Sequence, residues 1–133
     1  MLYLDTSALV KRYVEEDGSA LVRDVMDKTD VWFMCRIGFV ETARALGLTL
    51  GNRGTATFRR EWTMFEVIEV DRRLAEYAAD LALSTELRSF DAIHLAAALL
   101  VSTDDITFAT WDRRLHRAAQ AHRLRTLPEA LPA

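Results

Sequence analysis

Cysteine is nearly missing from this chain of 133 residues: Cys35 stands alone. One thiol cannot make a disulfide framework, and zinc sites built on cysteine pairs are excluded with it. Proline is almost as scarce. Pro128 and Pro132 both lie at the extreme C-terminus, so that tail is the one stretch that reads as linker-like. Long apolar runs are also lacking. The longest, Leu95 to Val101, has 7 residues, against the ~20 needed to span a bilayer. Lysine is rare, with only Lys11 and Lys28 among the 17 basic residues. The opening Met1-Leu2-Tyr3-Leu4-Asp5 has no basic region and no small-residue cleavage site, which argues against a signal peptide. No internal repeat and no low-complexity segment is present.

What remains is half hydrophobic, at 50%. The length suits one domain over residues 1–133, able to bury roughly two-thirds of its unfolded surface without staples. The expectation is a soluble, cytoplasmic, mixed globular protein. The 17 basic and 20 acidic residues give a net charge of −3, which argues against a general nucleic-acid coat protein. The distribution is uneven. Five arginines and one acid, Glu129, fall between Arg113 and Ala133, and Arg59-Arg60 and Arg72-Arg73 form two further basic pairs. GC-rich codon usage explains an arginine bias; so does phosphate recognition, since guanidinium forks match phosphate geometry. The sequence does not separate the two.

Strand and helix patterns alternate along the chain. Met1–Leu4 reads as a short buried strand and Thr6–Glu15 as a helix. Gly18 punctuates, and Ser19 is expected to cap a second helix through Leu21, Val22, Val25 and Met26. Val31–Met34 is the second strand. Ile37–Leu50 is a helix broken by Gly51-Asn52-Arg53-Gly54, and Thr55–Phe65 is another. A strand over Glu66–Val70 leads to a helix capped by Asp71. Asp91–Val101 is an almost wholly apolar, buried helix; Ile106–Thr110 is a strand, Asp112–His122 a basic amphipathic helix, and Leu124–Leu127 a last strand. Such alternation implies a parallel sheet with helices on both faces, whose ligands sit beyond the carboxyl ends of the strands.

Four acids fall where acids are not expected. Asp5 follows the first strand. Glu41 is embedded mid-helix among Ile37, Val40 and Ala45. Asp91 opens the apolar helix, and Asp112 lies just past the strand Thr107-Phe108-Ala109-Thr110. Asp5, Asp91 and Asp112 each precede a helical stretch, so capping explains any one of them as well as chemistry does. Glu41 is not open to that explanation. Its alternative is a salt bridge to Arg44 or another arginine. Two carboxylates 4 Å apart repel by about 4 kcal/mol at an effective dielectric near 20. A convergent cluster therefore needs a cation, and oxygen ligands select Mg²⁺ or Mn²⁺. That ion on carboxylates suits phosphodiester hydrolysis.

Four segments occur in order: Leu4-Asp5-Thr6-Ser7-Ala8-Leu9-Val10, then Val40-Glu41-Thr42-Ala43-Arg44-Ala45-Leu46, then Arg88-Ser89-Phe90-Asp91-Ala92-Ile93-His94-Leu95-Ala96-Ala97-Ala98, and Thr110-Trp111-Asp112-Arg113-Arg114-Leu115. Together they resemble a PIN domain, specifically the VapC-type ribonuclease toxins of bacterial toxin–antitoxin pairs, over essentially the whole chain. The resemblance implies a three-layer α/β/α sandwich with a mostly parallel five-stranded sheet. It implies that Asp5, Glu41, Asp91 and Asp112 are the acidic quartet holding Mg²⁺ or Mn²⁺, with the Ser7 and Thr110 hydroxyls in the same pocket. It also implies a homodimer, an RNA substrate such as a tRNA or rRNA stem-loop, and inhibition by a cognate antitoxin whose C-terminal arm, often basic, covers the site. Cys35-Arg36 stands where similar sequences commonly have a serine, and Trp111 where they commonly have phenylalanine; both bear on the pocket rim.

His94 shares a helix face with Asp91 and reads as a packed histidine behind the pocket, with a general base as the other role. His116 and His122 are expected in solvent, and Cys35, Trp32, Trp62 and Phe65 in the core or a dimer interface. Arg113, Arg114 and Arg117 follow Asp112; they are either a solvated helix face or a set of RNA-phosphate contacts. Three other functions fit the residues less well. A haloacid-dehalogenase phosphatase needs an acid two residues after the first Asp, but position 7 is Ser. A receiver domain needs a lysine on a late strand, but both lysines precede residue 30. A catalytically silent PIN-like protein-binding module would not need all four acids.

Overall fold

The computed structural model describes residues 1–101 and 105–132. Strand β1 (Leu2–Leu4) lies at the centre of a five-stranded sheet, with β2 (Trp32–Cys35) and then β3 (Glu66–Ile68) on one side. On the other side are β4 (Thr107–Ala109) and β5 (Arg125–Leu127), giving the order β3-β2-β1-β4-β5. Every ladder among the described residues is parallel, with Tyr3 opposite both Phe33 and Phe108.

Alternation along the strands divides the core in two. Leu2, Leu4, Trp32, Met34 and Ala109 point to one face. There they meet Ala8 and Leu9 of α1 (Thr6–Tyr13), Val22 and Met26 of α2 (Ser19–Lys28), and Leu46 and Phe58 of α3 (Arg36–Trp62). Tyr3, Cys35 and Phe108 point to the other face. They meet Leu74, Ala78 and Leu81 of α4 (Arg72–Thr85), Leu95 of α5 (Ser89–Val101), and Leu115 and Ala119 of α6 (Arg113–Ala121). Strands this short have few ladder hydrogen bonds, so register is held by side chains buried on both faces, each large one contributing roughly 1.5–3 kcal/mol. This is the α/β/α sandwich expected, with a wholly parallel sheet.

The chain first steps from β1 outward to β3. It then returns to the far side of β1 to make β4 and β5. Keeping crossover handedness while reversing direction moves the connecting helices to the opposite face. Such a reversal places a crevice at the carboxyl ends of β1 and β4. Asp5 and Thr110 are the residues immediately after those two strands.

Several local expectations need correction. Gly51 interrupts α3 with φ 70° and ψ −160°, a conformation open to glycine, but helix resumes at once, giving a kinked element where two separate helices were expected. Gly18, at φ 93°, is the N-cap of α2, and Ser19 is its first helical residue. The Ser19 hydroxyl donates to the Val14 carbonyl and accepts from the Glu16 N–H, so it ties the preceding turn and leaves the helix end uncapped by a side chain. Asp91 is the third residue of α5, one turn inside the position expected of a cap. His116 is not in solvent. It lies on the buried side of α6 with Leu115 and Ala119, and its Nε2 is 2.7 Å from the Pro128 carbonyl. His122 is half-buried against the Ala118 carbonyl. The proline-bearing tail is thus tied back on α6, with Gln120 donating to the Glu129 carbonyl at 2.9 Å, and is no free linker.

Candidate active site

Asp5 both caps a helix and joins the hydrogen-bonded network at the strand ends, so the two readings of it are not exclusive. Its Oδ1 accepts from the Ala8 N–H at 2.9 Å, capping α1, and from the Ser7 hydroxyl at 2.7 Å. Its Oδ2 accepts from the Thr110 hydroxyl at 2.6 Å. Only 3% of Asp5 is exposed. Burial pushes its carboxyl above the ordinary value, against the pull of His94, Thr110 and Ser7. Thr110 in turn accepts from the Asp112 N–H at 3.1 Å, and Asp112 caps α6 through Leu115. Ser7 accepts from the Trp111 N–H at 2.9 Å. The ends of β1 and β4 are therefore stitched together by two hydroxyls and one carboxylate.

Glu41 sits in the second turn of α3 and is half-buried. The salt bridge to Arg44 does not form. Arg44 is exposed, and Glu41 Oε1 accepts from Thr6 Oγ1 and His94 Nε2, each at 2.9 Å. Burial would raise the Glu41 carboxyl, but the His94 and Thr6 hydrogen bonds and the nearby charges of His94 and Arg88 outweigh it and hold it below its ordinary value. His94 is buried, with Nδ1 at 2.8 Å from the Tyr3 hydroxyl and 3.4 Å from Cys35 Sγ. Desolvation works to lower its pKa; Cys35 and Glu41 against its two nitrogens carry it up to about 10. The Tyr3 hydroxyl also accepts from the Cys35 N–H, so β1, β2 and α5 all fix this ring behind Glu41.

Asp91 and Asp112 are joined by one side chain. Arg88 Nε donates to Asp91 at 3.1 Å and its Nη2 to Asp112 at 3.3 Å. Burial, and then the charge of Asp112, raise the Asp91 carboxyl despite that arginine. Glu41, Arg88, Ser89, Phe90 and Asp91 line an open cleft of about 390 Å³. Phe90 stands 54% exposed at its edge.

The four acids thus occupy one edge of the molecule, linked through Thr6, Thr110 and Arg88. They do not form a closed cage: among the described residues, no three His, Cys, Asp or Glu side chains are gathered tightly enough to hold an ion. The donors present are nonetheless carboxylate and hydroxyl oxygens, the set that a hard divalent ion takes. Mg²⁺ itself is ordinarily held by one or two carboxylates, with waters and substrate phosphates completing its octahedron. The donor chemistry fits such an ion, and the open geometry fits one that shares its ligands with substrate.

Arg113, Arg114 and Arg117 are all exposed. Arg114 and Arg117 line a separate cleft of about 790 Å³ against Ser84, Thr85 and Glu86, and not the carboxylate cleft. Arg88 and Phe90 line the cleft and Thr6 bonds Glu41 beside it, and the sequence alone left all three unassigned. The i, i+3 spacing of Arg88 and Asp91 was the available signal for the first.

Comparison with known proteins fits this geometry. The PIN domain family profile matches residues 2–121. Ribonuclease VapC45 of Mycobacterium tuberculosis is 34% identical, over 98% of this chain and 97% of its own. Ribonuclease VapC46 of the same species is also 34% identical, over 90% of each chain. Among solved structures, Mycobacterium tuberculosis VapC20, described as a sarcin-ricin loop cleaving toxin, superposes with TM-score 0.74 at 18% identity, covering 99% of this chain and 100% of that one. VapBC2 from Rickettsia felis, bound to a DNA fragment from its promoter, gives 0.68 at 15% identity over 95% and 97%. At those identities the structures speak to fold alone, while the profile and the curated relatives speak to kinship. The chain belongs to the PIN-domain family, on its VapC branch.

Proposed function

We propose that this chain is a Mg²⁺- or Mn²⁺-dependent endoribonuclease, the toxin of a toxin–antitoxin pair. The observation that carries the reading is the placement of Asp5, Glu41, Asp91 and Asp112 on one edge of the sheet, at its switch point. The names of its curated relatives, all ribonucleases, support the substrate class. When bound, the ion would neutralise carboxylates, polarise a phosphodiester and lower the pKa of water. Asp91, Asp112, Asp5 and Glu41 are the residues to hold it.

The chain's own part is positioning. Thr110, Ser7 and the Ala8 N–H lock Asp5 in one orientation. His94 and Thr6 keep Glu41 ionised and aimed. Arg88 in the cleft, with Arg113 beside Asp112, offers guanidinium forks to RNA phosphates; Arg114 and Arg117 extend that basic surface away from the cleft. The expected substrates are structured RNAs, tRNA or rRNA. The expected partners are a second copy of the chain and a cognate antitoxin with a basic C-terminal arm, attracted by the acidic edge. The expected place of action is the cytoplasm. No helix among the described residues is long and apolar enough to cross a membrane.

The deciding experiment maps cut sites on total RNA after induction, with Asp5→Asn as control. Discrete cuts that vanish in the variant support the reading. Equal cutting by the variant refutes the site, and no cutting by pure wild-type protein at millimolar Mn²⁺ leaves the silent binding module as the better description.

A further inference from the structure

One cation serves two carboxylates at the cleft. Arg88 forks across Asp91 and Asp112, at 3.1 and 3.3 Å. Its side chain is 72% exposed, against 18% for Asp91 and 28% for Asp112. Asp112 is also held by the Leu115 N–H, and Asp91 is largely buried on α5, whereas among the described residues the guanidinium has only these two acids as partners. Arg88 is outside α5, just before Ser89, and its backbone is fixed independently by the Ala92 N–H to Arg88 carbonyl bond of 2.9 Å. The head can leave without disturbing the helix.

A guanidinium in that position does what a divalent ion would do there: it relieves repulsion between Asp91 and Asp112. The two cannot both have those oxygens. A compact dication binds the pair more strongly than a weakly hydrated, planar, singly charged group. Once displaced, the same head remains tethered at the wall of the cleft beside Phe90, within reach of anything lying on the acids.

We propose that Arg88 is an exchangeable internal counter-ion. It bridges Asp91 and Asp112 in the metal-free protein, gives way to the divalent ion, and then binds a phosphate of the RNA in the cleft. This rests on the metal-dependent nuclease reading given above. It makes Arg88 a competitor for the metal and a ligand for the substrate, so its removal has opposite signs on the two.

The test is a pair of titrations on the full chain. Calorimetry with Mn²⁺ alone measures metal affinity for wild type, Arg88→Ala, Arg88→Lys and Asp91→Asn. Arg88→Ala is expected to bind Mn²⁺ about five-fold tighter, the equivalent of losing an exposed ion-pair competitor. Cleavage of total tRNA at saturating Mn²⁺ is expected to show KM raised about five-fold in Arg88→Ala with a smaller change in kcat. Arg88→Lys keeps a charge but cannot fork, and falls between on both scales. Thermal melts of the metal-free variants confirm folding, which the exposure of Arg88 favours. A merely structural arginine would weaken both interactions together. Unchanged or weaker Mn²⁺ binding in Arg88→Ala, or an unchanged KM, overturns the exchange. If Asp91→Asn also loses Mn²⁺ in that case, the metal site itself stands. If wild type binds no Mn²⁺, the metal-dependent reading falls and takes the exchange with it.

Discussion

Removing the Thr110 hydroxyl should be costly out of proportion to its size. Thr110 is fully buried. Its oxygen donates to Asp5 Oδ2 at 2.6 Å and accepts from the Asp112 N–H at 3.1 Å. Thr110→Val keeps the shape and deletes both bonds, leaving a buried carboxylate oxygen short of a donor and a backbone N–H without its acceptor. A hydrogen bond to a charged group contributes about 1.5–3 kcal/mol, and an orphaned donor costs about 1–3 kcal/mol. Relaxation and water entry recover part of this, so the loss should be about 2–4 kcal/mol, or roughly 10 °C in Tm for a chain of this size. Thermal and urea unfolding in EDTA measure it, with Thr110→Ser as the rescue. The pH dependence has a definite sign. The Asp5 carboxyl is raised in the folded protein, so its stability contribution is complete below the unfolded value of 3.8 and is lost as pH rises through the folded value. Thr110→Val raises the folded value further. Its deficit against wild type should therefore be largest near neutrality and shrink on acidification. A deficit under about 0.5 kcal/mol, or one equally large in Thr110→Ser, would refute this account of the bridge.

Other consequences are as direct. Mn²⁺ should raise Tm, because it binds the folded acids and offsets the burial, and then the Asp112 charge, that raise Asp91; at 100 times Kd the gain is roughly 2.7 kcal/mol, and a flat titration at millimolar Mn²⁺ would count against the site. The His94 ring is raised to about 10, so its charge contributes stability that is full below about 6.5 and lost as pH climbs through 10. His94→Gln should flatten stability over that window, seen in urea unfolding at pH 6 to 10; a slope identical to wild type would remove His94 as its source. Gly18→Ala should lower both stability and cleavage. The added methyl would lie 2.7 Å from the Trp111 ring, at a φ that disfavours alanine, and Trp111 borders Asp112. A variant with wild-type Tm and kcat would show that the loop yields freely.

Alternation of strand and helix was enough to place Asp5 at the end of the first strand and Asp112 just past the strand over Ile106–Thr110, because periodicity is local; that the two strands are neighbours is a matter of topology. The acids were legible for the same reason: each breaks the pattern around it. Their mutual arrangement was not. The links that decide it, Asp5 to Thr110, Glu41 to His94 and Arg88 to Asp112, join residues 105, 53 and 24 positions apart. Polar side chains of that kind carry no period. His116 was misjudged because a basic helix reads as solvated all round, whereas its ring lies in line with Leu115 and Ala119 and has the Pro128 carbonyl as a partner. Ser19 was misjudged because a serine before an apolar run fits a cap as well as it fits a turn tie. The four acids lie along one edge, linked through Thr6, Thr110 and Arg88, with no three His, Cys, Asp or Glu side chains gathered tightly among the described residues.

The central place of β1 in the sheet has a consequence for synthesis. Strand β1 needs neighbours on both sides, and one of them, Thr107–Ala109, is made only after β2 and β3. Until then Asp5 has no Thr110 and Asp112 has not been translated. The stitched strand ends that hold Asp5, Thr110 and Asp112 together therefore come into being only once β4 has been made.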